Sequence, residues 1–564
     1  MSMSILPATL RADSQARPIV FDGHVGRLHL PADQRHRATG ILICLPPGRD
    51  GRCTFRPLKT LAETLCDLGF PVLRFELLGQ GDSRDLPADA NAWEAWQTGI
   101  ASAVETLKRE GRVERVAGLG FRLSASLLAT APVGFDALAL LAPVVSGRGY
   151  VRELKLAAAM SQTLGPEGDE GLESDGLQIN RASLAHLVAL DLAKIDRAPP
   201  NVLVAASKPI ASGVIDHLGT LTTQLWLQDF PGYEALLEDT HSNQAPDVLF
   251  QRLADWFSAV TGEVTAPVEQ SIDLCPKPVA LDLDNATEHH LQFGPGLSGI
   301  LAEPRKPGAG QRAVVFCNTS KEPKSGVGRF AAIAARRLAD AGIASLRFDF
   351  TGVGDSEGDD GHVYDTARRT DFIAAADLLE SLGYPNACLV GVCSGAFHTL
   401  ETLRDETRFD AAFVVSAKLV WRTSDSLTPE MRDQGRATGA YVQGLRDPKT
   451  LLRLLKGEVD VRAVVKTLTR RLKARAAARL DNRDGRPFVT GINRLSARGG
   501  RLHMLVGLDD SSLDEVETYF GRGGQRLTAL PGMSLSIEPS LDHGLAKAKS
   551  RDVAIDQLLR FLAD

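Results

Sequence analysis

Short apolar runs alternate with amphipathic stretches along most of the chain. In its second half, the runs Ala313–Cys317 and Ala344–Phe350 flank a predicted helix from about Arg329 to Ala341. A third run, Ala387–Val390, precedes a predicted helix over Ala396–Leu403. Strands that alternate with helices are typical of a mostly parallel sheet covered by helices on both faces. The pattern therefore predicts the α/β fold class.

One motif occurs twice, once in each half of the chain. Phe75–Ser83 reads FELLGQGDS, and Phe348–Ser356 reads FDFTGVGDS. Similarity of this kind indicates a repeated structural unit, and a chain of 564 residues is too long for a single hydrophobic core. We therefore predict two copies of one domain, at residues 1–262 and 276–564, with the boundary between Val260 and Lys277.

Composition narrows the class of protein. With 44% hydrophobic and 24% charged residues the chain can build a large core, and a net charge of −6 argues against a general nucleic-acid binder. No apolar run is long enough for a transmembrane segment, and Met1–Val20 lacks the apolar core of a signal peptide. Seven cysteines without a C-x-x-C pair favour reduced thiols. We expect a cytoplasmic protein.

Cys393 lies in the sequence LVGVCSGA, a G-x-nucleophile-x-G pattern with a thiol at its centre. A strand is predicted before it and a helix after it, the context that a nucleophile elbow requires. Gly391 and Gly395 would let the chain turn sharply and lift the side chain between them out of the sheet. The alternative is a buried structural cysteine in a tight turn.

These motifs resemble the α/β-hydrolase fold, in particular its serine-aminopeptidase-like branch. The second half is similar to the exosortase-A-associated hydrolase 1 group, through FDFTGVGDS and GVCSGA. The first half is similar to the hydrolase 2 group, through Gly120–Ala125 and Ser146–Tyr150. The resemblance implies a hydrolase near bacterial exopolysaccharide genes, although cysteine replaces the usual serine.

The resemblance also implies an acid after a late strand and a histidine after the last one. Asp509 and Asp510 follow the predicted strand Arg501–Val506, and His543 precedes the final helix, predicted over Val553–Leu562. Either aspartate could be the acid at this point. A surface histidine near a helix start is the alternative for His543.

Aligning the two halves favours Asp510. The spacing from Lys208 to His241 in the first half equals the spacing from Asp510 to His543 in the second. The stretch from Cys393 to Asp510, in contrast, is longer than the stretch from Arg122 to Lys208. The second half therefore carries an insertion between nucleophile and acid, where such folds place a lid.

The predicted triad can perform nucleophilic catalysis without a metal or another cofactor. His543 would take the proton of Cys393, and Asp510 would orient the imidazole. The oxyanion would be held by backbone N–H groups of Ser394 and of the loop containing Thr319 and Ser320. A cysteine suits thioesters and activated esters, so we expect a small-molecule acyl substrate, and the resemblance implies that the acyl group could be linked to a saccharide.

The first half lacks the same chemistry. Arg122 occupies the nucleophile position and Lys208 the acid position, and only His241 remains. Pro46 and Pro47 lie opposite the oxyanion loop, and proline has no N–H to donate. We predict a non-catalytic domain that either buries a face of the second half or binds an anion. The shared GDS loops, with Asp82 and Asp355, are interpreted as structural turns.

The predicted lid covers about residues 419–500, and a basic segment overlaps it. Residues 446–501 contain 16 Lys or Arg and 5 Asp or Glu, a net charge of +11. Its cations, with Arg470, Arg471 and Lys473 as candidates, would attract an anionic substrate. The alternative is a solvated helical face paired with acids elsewhere. Aromatic residues do not alternate with these charges, which argues against nucleic acid. A second function class stays open, a catalytically silent scaffold.

Overall fold

The computed structural model describes most of the chain, in two halves. It describes residues 16–31, 36–160, 171–262, 279–308, 312–359, 361, 368–417 and 487–563. Here the N-terminal half means the described residues of 16–262, and the C-terminal half those of 279–563. No helix in these ranges is long and apolar enough to cross a lipid bilayer.

The N-terminal half contains ten strands and eight α-helices among its described residues. The strands are β1 Ala16–Phe21, β2 His24–His29, β3 Thr39–Cys44, β4 Val72–Phe75, β5 Arg115–Phe121, β6 Ala137–Leu141, β7 Leu172–Ser174, β8 Leu177–Ile179, β9 Asn201–Ala206 and β10 Gln224–Asp229. The helices are α1 Arg49–Asp67, α2 Ala92–Gly111, α3 Leu123–Ala129, α4 Gly147–Met160, α5 Arg181–Ala189, α6 Ser212–Leu221, α7 Tyr233–Leu236 and α8 Asp247–Val260.

Eight of these strands form one sheet, in the order β1-β2-β4-β3-β5-β6-β9-β10. Its first two pairings are antiparallel and the others are parallel. Successive side chains of β3 face opposite sides, since Leu42 belongs to one buried apolar cluster and Ile41 and Ile43 to another. Helices α2 and α3 cover the first side, and α1 and α8 cover the second.

The C-terminal half contains nine strands and seven α-helices among its described residues. The strands are β11 Ala280–Asp282, β12 Ala286–Phe293, β13 Leu297–Pro304, β14 Arg312–Phe316, β15 Ser345–Phe348, β16 Asn386–Val392, β17 Phe409–Val415, β18 Arg501–Gly507 and β19 Met533–Glu538. The helices are α9 Phe330–Asp340, α10 Arg368–Ser381, α11 Ser394–Thr402, α12 Pro487–Ala497, α13 Ser511–Phe520, α14 Gln525–Thr528 and α15 Ala548–Ala563.

All nine strands form a second sheet, in the order β11-β12-β13-β15-β14-β16-β17-β18-β19. The pairings from β15 to β19 are parallel. Apart from the added edge strand β11, the order matches that of the first sheet. The α/β fold class with mostly parallel sheets flanked by helices is confirmed. The final helix begins at Ala548, ahead of its predicted start at Val553.

The two GDS loops meet at the contact between the halves. Arg74 Nη2 lies 2.7 Å from Asp355 Oδ1, and Arg347 Nε lies 2.9 Å from Asp82 Oδ1. The two arginines occupy corresponding positions of the repeat, and so do the two aspartates, so the interface has approximate twofold symmetry. All four side chains are at most 9% exposed. The loops therefore join the halves as well as shaping local turns.

Backbone contacts repeat this symmetry. Arg56 Nη1 donates to the carbonyl oxygen of Ser356 at 3.2 Å, and Arg329 Nη2 donates to that of Ser83 at 2.7 Å. These arginines and serines also occupy corresponding positions of the two halves. Each half thus uses the same loop and the same basic positions to bind the other half.

Candidate active site

The chain turns sharply at Cys393, between the end of β16 and the start of α11. Cys393 has φ 54° and ψ −113°, a conformation that non-glycine residues rarely adopt. A Cβ on Gly391 would lie 2.4 Å from the carbonyl oxygen of Gly395, and one on Gly395 would lie 2.7 Å from that of Asn318. Both glycines are therefore needed for the close approach of strand, helix and loop. The thiol is partly exposed at the tip of the turn.

Three side chains from distant parts of the C-terminal half meet at this turn. His543 Nε2 lies 3.1 Å from Cys393 Sγ. His543 Nδ1 lies 2.8 Å from Asp510 Oδ2 and 3.0 Å from Oδ1. Asp510 follows β18 and caps α13 by accepting the Ser512 N–H at 2.9 Å. Asp509 is exposed, so Asp510 is the aspartate that contacts the imidazole.

Electrostatics in this cluster favour a charged histidine. Burial alone would lower the pKa of His543, but the negative charges of Cys393 and Asp510 and the hydrogen bonds to them raise it to about 10. Burial would raise the pKa of Asp510, but the His543 charge and its hydrogen bonds hold that pKa well below the ordinary value. The arrangement favours the protonated imidazolium of His543 at neutral pH.

The loop after β14 is tied directly to the nucleophile turn. The Ser320 N–H donates to Ser394 Oγ at 2.6 Å, and Ser320 has φ 55°. Thr319 Oγ1 donates to the Val392 carbonyl oxygen at 3.2 Å. Ser394 is the first residue of α11, where backbone N–H groups have no acceptor within the helix. The three predicted oxyanion residues therefore lie together, although one of their N–H groups already has an internal acceptor.

Asp542 is not among the predicted site residues, yet it shapes the loop that carries His543. Its carboxylate accepts the N–H groups of Ala546 at 2.7 Å and Lys547 at 3.1 Å. Aspartate often bonds to backbone groups a few residues further on. The Asp-His-Gly sequence therefore contained a signal for this turn.

Other cysteines near the elbow differ from Cys393. Cys388 is fully buried in β16, and burial raises its pKa to about 12. Cys317 is partly exposed, yet burial of its thiol also raises the pKa to about 12. His398, on α11, packs edge-on against the rings of Phe350 and Phe397. Within the described ranges no group of three or more side chains suits a metal ion.

The N-terminal half keeps the backbone turn but carries a different side chain there. Arg122 has φ 54° and ψ −119°, close to the values at Cys393. Its guanidinium lies 3.5 Å from Asp50 and is hydrogen-bonded to Glu153, and it stacks 5.4 Å from the ring centre of Tyr150. Internal carboxylates thus already balance its charge, which weakens the expectation of an anion site.

The other predicted positions of the N-terminal half follow its strands, as in the C-terminal half. Lys208 is exposed after β9, and His241 is partly buried ahead of α8. Pro46 and Pro47 are buried after β3. Arg122, which has its own carboxylate partners, thus occupies the position of Cys393. Lys208, which is exposed to solvent, occupies the position of the buried Asp510.

The candidate substrate residues of the lid, Arg470, Arg471 and Lys473, lie outside the described residues. Of the predicted lid, residues 487–500 are described. They include α12, whose Ile492 and Leu495 are buried in the core. Arg494, on the same helix, lies 3.0 Å from Asp405. At this end of the basic segment a cation is paired with an acid of the same half.

Comparison with known proteins agrees with this architecture. Residues 307–551 match the model of the alpha/beta hydrolase family, so the C-terminal half contains a domain of that family. No curated protein matches the chain.

Three solved structures illustrate the resemblance. The chain is similar to Est1E from Butyrivibrio proteoclasticus with ferulic acid bound, at 18% identity over 43% of this chain and 99% of that chain, with a TM-score of 0.34. It is similar to the esterase domain of a Rhodothermus marinus protein, at 16% identity over 44% and 100%, with a TM-score of 0.31. It is also similar to XC6422 from Xanthomonas campestris, an a/b serine hydrolase without lid, at 15% identity over 45% and 99%, with a TM-score of 0.29.

Proposed function

We propose that the C-terminal half is a cysteine-dependent acyl hydrolase or acyltransferase that acts on esters or thioesters. The observation that carries this proposal is the chain of contacts from Asp510 through His543 to Cys393, at 2.8 and 3.1 Å. A structural cysteine does not need a histidine that is itself held by a buried carboxylate.

The proposed reaction proceeds in two steps. His543 holds the thiol proton, and the Cys393 thiolate attacks the carbonyl carbon to form a C–S bond. When the tetrahedral intermediate collapses, the C–O or C–S bond to the leaving group breaks and His543 donates the proton to it. Water or another acceptor then loses a proton to His543 and attacks the acyl-enzyme, which releases the Cys393 thiolate. Asp510 keeps the imidazole oriented in both steps.

The oxyanion would lie between the start of α11 and the loop after β14. The Ser394 N–H supplies one donor, and the Thr319 and Ser320 region supplies the second. Because Ser394 Oγ accepts the Ser320 N–H in this structure, substrate binding would need to displace that hydroxyl or to use a neighbouring N–H. A thioester makes modest demands on such a site, since its leaving group is a good one.

The N-terminal half is proposed to be a non-catalytic hydrolase-like domain. Its predicted boundaries are residues 1–262, and those of the catalytic domain are residues 276–564. Support comes from its matching strand order and from Arg122 at the nucleophile turn. The same residues argue for an architectural contribution, because Arg122 is paired internally. The proposal that the substrate is anionic rests on the charge of residues 446–501. The proposal of a place in bacterial exopolysaccharide production rests on the sequence resemblance.

Acyl transfer to the protein tests the proposal. The intact protein would be incubated with a panel of acyl thioesters and esters, and its mass measured. We expect a single acyl adduct that maps to Cys393 and disappears in Cys393→Ala, whereas Cys66→Ala, a buried cysteine of α1, retains it. A folded protein that forms no adduct and turns over no acyl donor would instead support the scaffold function.

A further inference from the structure

A hairpin of the N-terminal half contacts the start of α15, the helix that follows the loop carrying His543. The hairpin consists of β7 and β8, and Glu173 lies on β7. Glu173 Oε1 accepts the N–H of Ala548 at 2.6 Å and lies 3.5 Å from Arg551 Nη2. Ala548 is the first residue of α15, so a carboxylate from one half caps a helix of the other. An acid at a helix N-terminus satisfies an unpaired N–H and interacts favourably with the helix dipole.

Arg551 connects this contact to the histidine loop. Its Nη1 donates to the carbonyl oxygens of Leu545 at 3.2 Å and Ala546 at 2.5 Å. Arg551 is only 3% exposed, and Leu545 is fully buried with φ 57°. Glu173 is the acid that faces this guanidinium across the interface. Loss of its charge would leave a buried cation less well compensated, next to a backbone turn that has few alternatives.

The loop has little freedom at its other anchor points. Asp542 accepts two backbone N–H groups from Ala546 and Lys547. Ser550 Oγ accepts the Asp542 N–H at 3.1 Å and donates to the Ser540 carbonyl oxygen at 3.1 Å. His543 therefore stands on a loop held to the start of α15, and Glu173 binds that start from the opposite half.

We propose that Glu173 is a positioning residue for His543, through which the N-terminal half contributes to the acyl-transfer site. The proposal rests on the proposed function, because it concerns the contact between His543 and Cys393. It explains why a half without a nucleophile would be retained beside the active one. A displaced α15 start would move the imidazole away from Sγ, and the thiolate would lose its counter-charge.

The test measures how fast Cys393 reacts with iodoacetamide at pH 9 and at pH 6 in the full-length chain. The ratio of these two rates should be near 1 in the wild type, since the ion pair keeps the thiolate at both pH values. In Glu173→Ala the ratio should rise about 10-fold, because small displacements of a catalytic group have large effects. Glu173→Gln, whose amide oxygen still accepts the Ala548 N–H, should fall between the two. Glu105→Ala, an exposed acid of α2, serves as the matched control.

Thermal unfolding separates positioning from simple stabilisation. A lower Tm in Glu173→Ala with an unchanged rate ratio would overturn the proposal. If Glu173→Ala does not fold, a Glu173→Gln ratio equal to that of the wild type would overturn it equally. A wild-type ratio far above 1 would instead contradict the ion pair on which the proposed function rests, so the two failures are distinguishable.

Discussion

Replacing His543 by Ala should change the pH dependence of the reaction between Cys393 and iodoacetamide. His543 Nε2 lies 3.1 Å from Cys393 Sγ. Although burial alone would lower the pKa of His543, the charges of Cys393 and Asp510 raise it to about 10. The imidazolium therefore persists through neutral pH and is lost only as the pH rises towards about 10. By the same coupling it favours the thiolate, so the wild-type rate should be nearly constant from pH 6 to pH 9.

The size of the effect follows from ordinary thiol titration. A cysteine without a partner has a pKa of about 8.5, so about 0.3% is thiolate at pH 6 and about 75% at pH 9. The rate ratio between pH 9 and pH 6 should therefore rise from near 1 in the wild type to about 200 in His543→Ala. Each ratio compares the rates of the same protein at two pH values. A difference in intrinsic nucleophilicity between the thiolates of the wild type and of His543→Ala therefore cancels.

Peptide-resolved mass spectrometry after timed labelling would give the rate at each cysteine separately. His186→Ala, which removes an exposed histidine of α5, is the control and should keep the wild-type ratio. A wild-type ratio near 200, or an equal and low ratio in the wild type and His543→Ala, would refute the ion pair.

Four further outcomes follow from the structure and the sequence. Asp355→Asn should destabilise the protein by about 3 to 5 kcal/mol at pH 7, because it leaves buried arginines unpaired. Burial alone would raise the pKa of Asp355, but the arginine and lysine charges around it hold the pKa well below its ordinary value. The wild type therefore loses the stability that this carboxylate contributes at acid pH, so the difference in Tm between the wild type and Asp355→Asn should shrink as the pH falls below about 4. Burial raises the pKa of Glu76, in the FELLGQGDS motif, to about 8. The stability that the protonated form contributes is therefore lost as the pH rises towards that value. The Tm of Glu76→Gln should rise relative to that of the wild type over the same pH range. Arg122→Ala should lower Tm without altering the labelling ratio of Cys393; a slowed acylation step in a folded variant would contradict a non-catalytic N-terminal half. If residues 446–501 recruit an anionic substrate, kcat/KM should fall between about 0.05 and 0.5 M salt, whereas a neutral ester should show no change.

Local sequence patterns were sufficient for the nucleophile turn. Two glycines around Cys393, an apolar run before it and small residues after it predict a strand, a sharp turn and a helix, and β16 and α11 follow that order. These features are visible in sequence because they depend on residues within a few positions of one another. The alternation of apolar and amphipathic segments likewise predicts the sheet class, since side-chain periodicity is a local property.

The choice of the catalytic acid between two neighbouring aspartates needed more than the local sequence pattern. Asp509 and Asp510 follow the same strand, and the spacing shared by the two halves favours Asp510. In the structure Asp510 is buried against His543 and Asp509 is exposed. Burial at the end of a strand depends on the loops that cover it, which the strand's own sequence does not describe.

Only the tertiary structure revealed how the halves join. The GDS repeat is plain in the sequence, but its pairing with Arg74 and Arg347 of the opposite half joins side chains that lie far apart along the chain. The contact of Glu173 with the start of α15 likewise joins distant segments and belongs to no motif. Periodicity and turn preferences report how a segment folds on itself. Contacts of this kind depend instead on the shape and charge that two folded surfaces present to each other, so they exist only once both halves have folded.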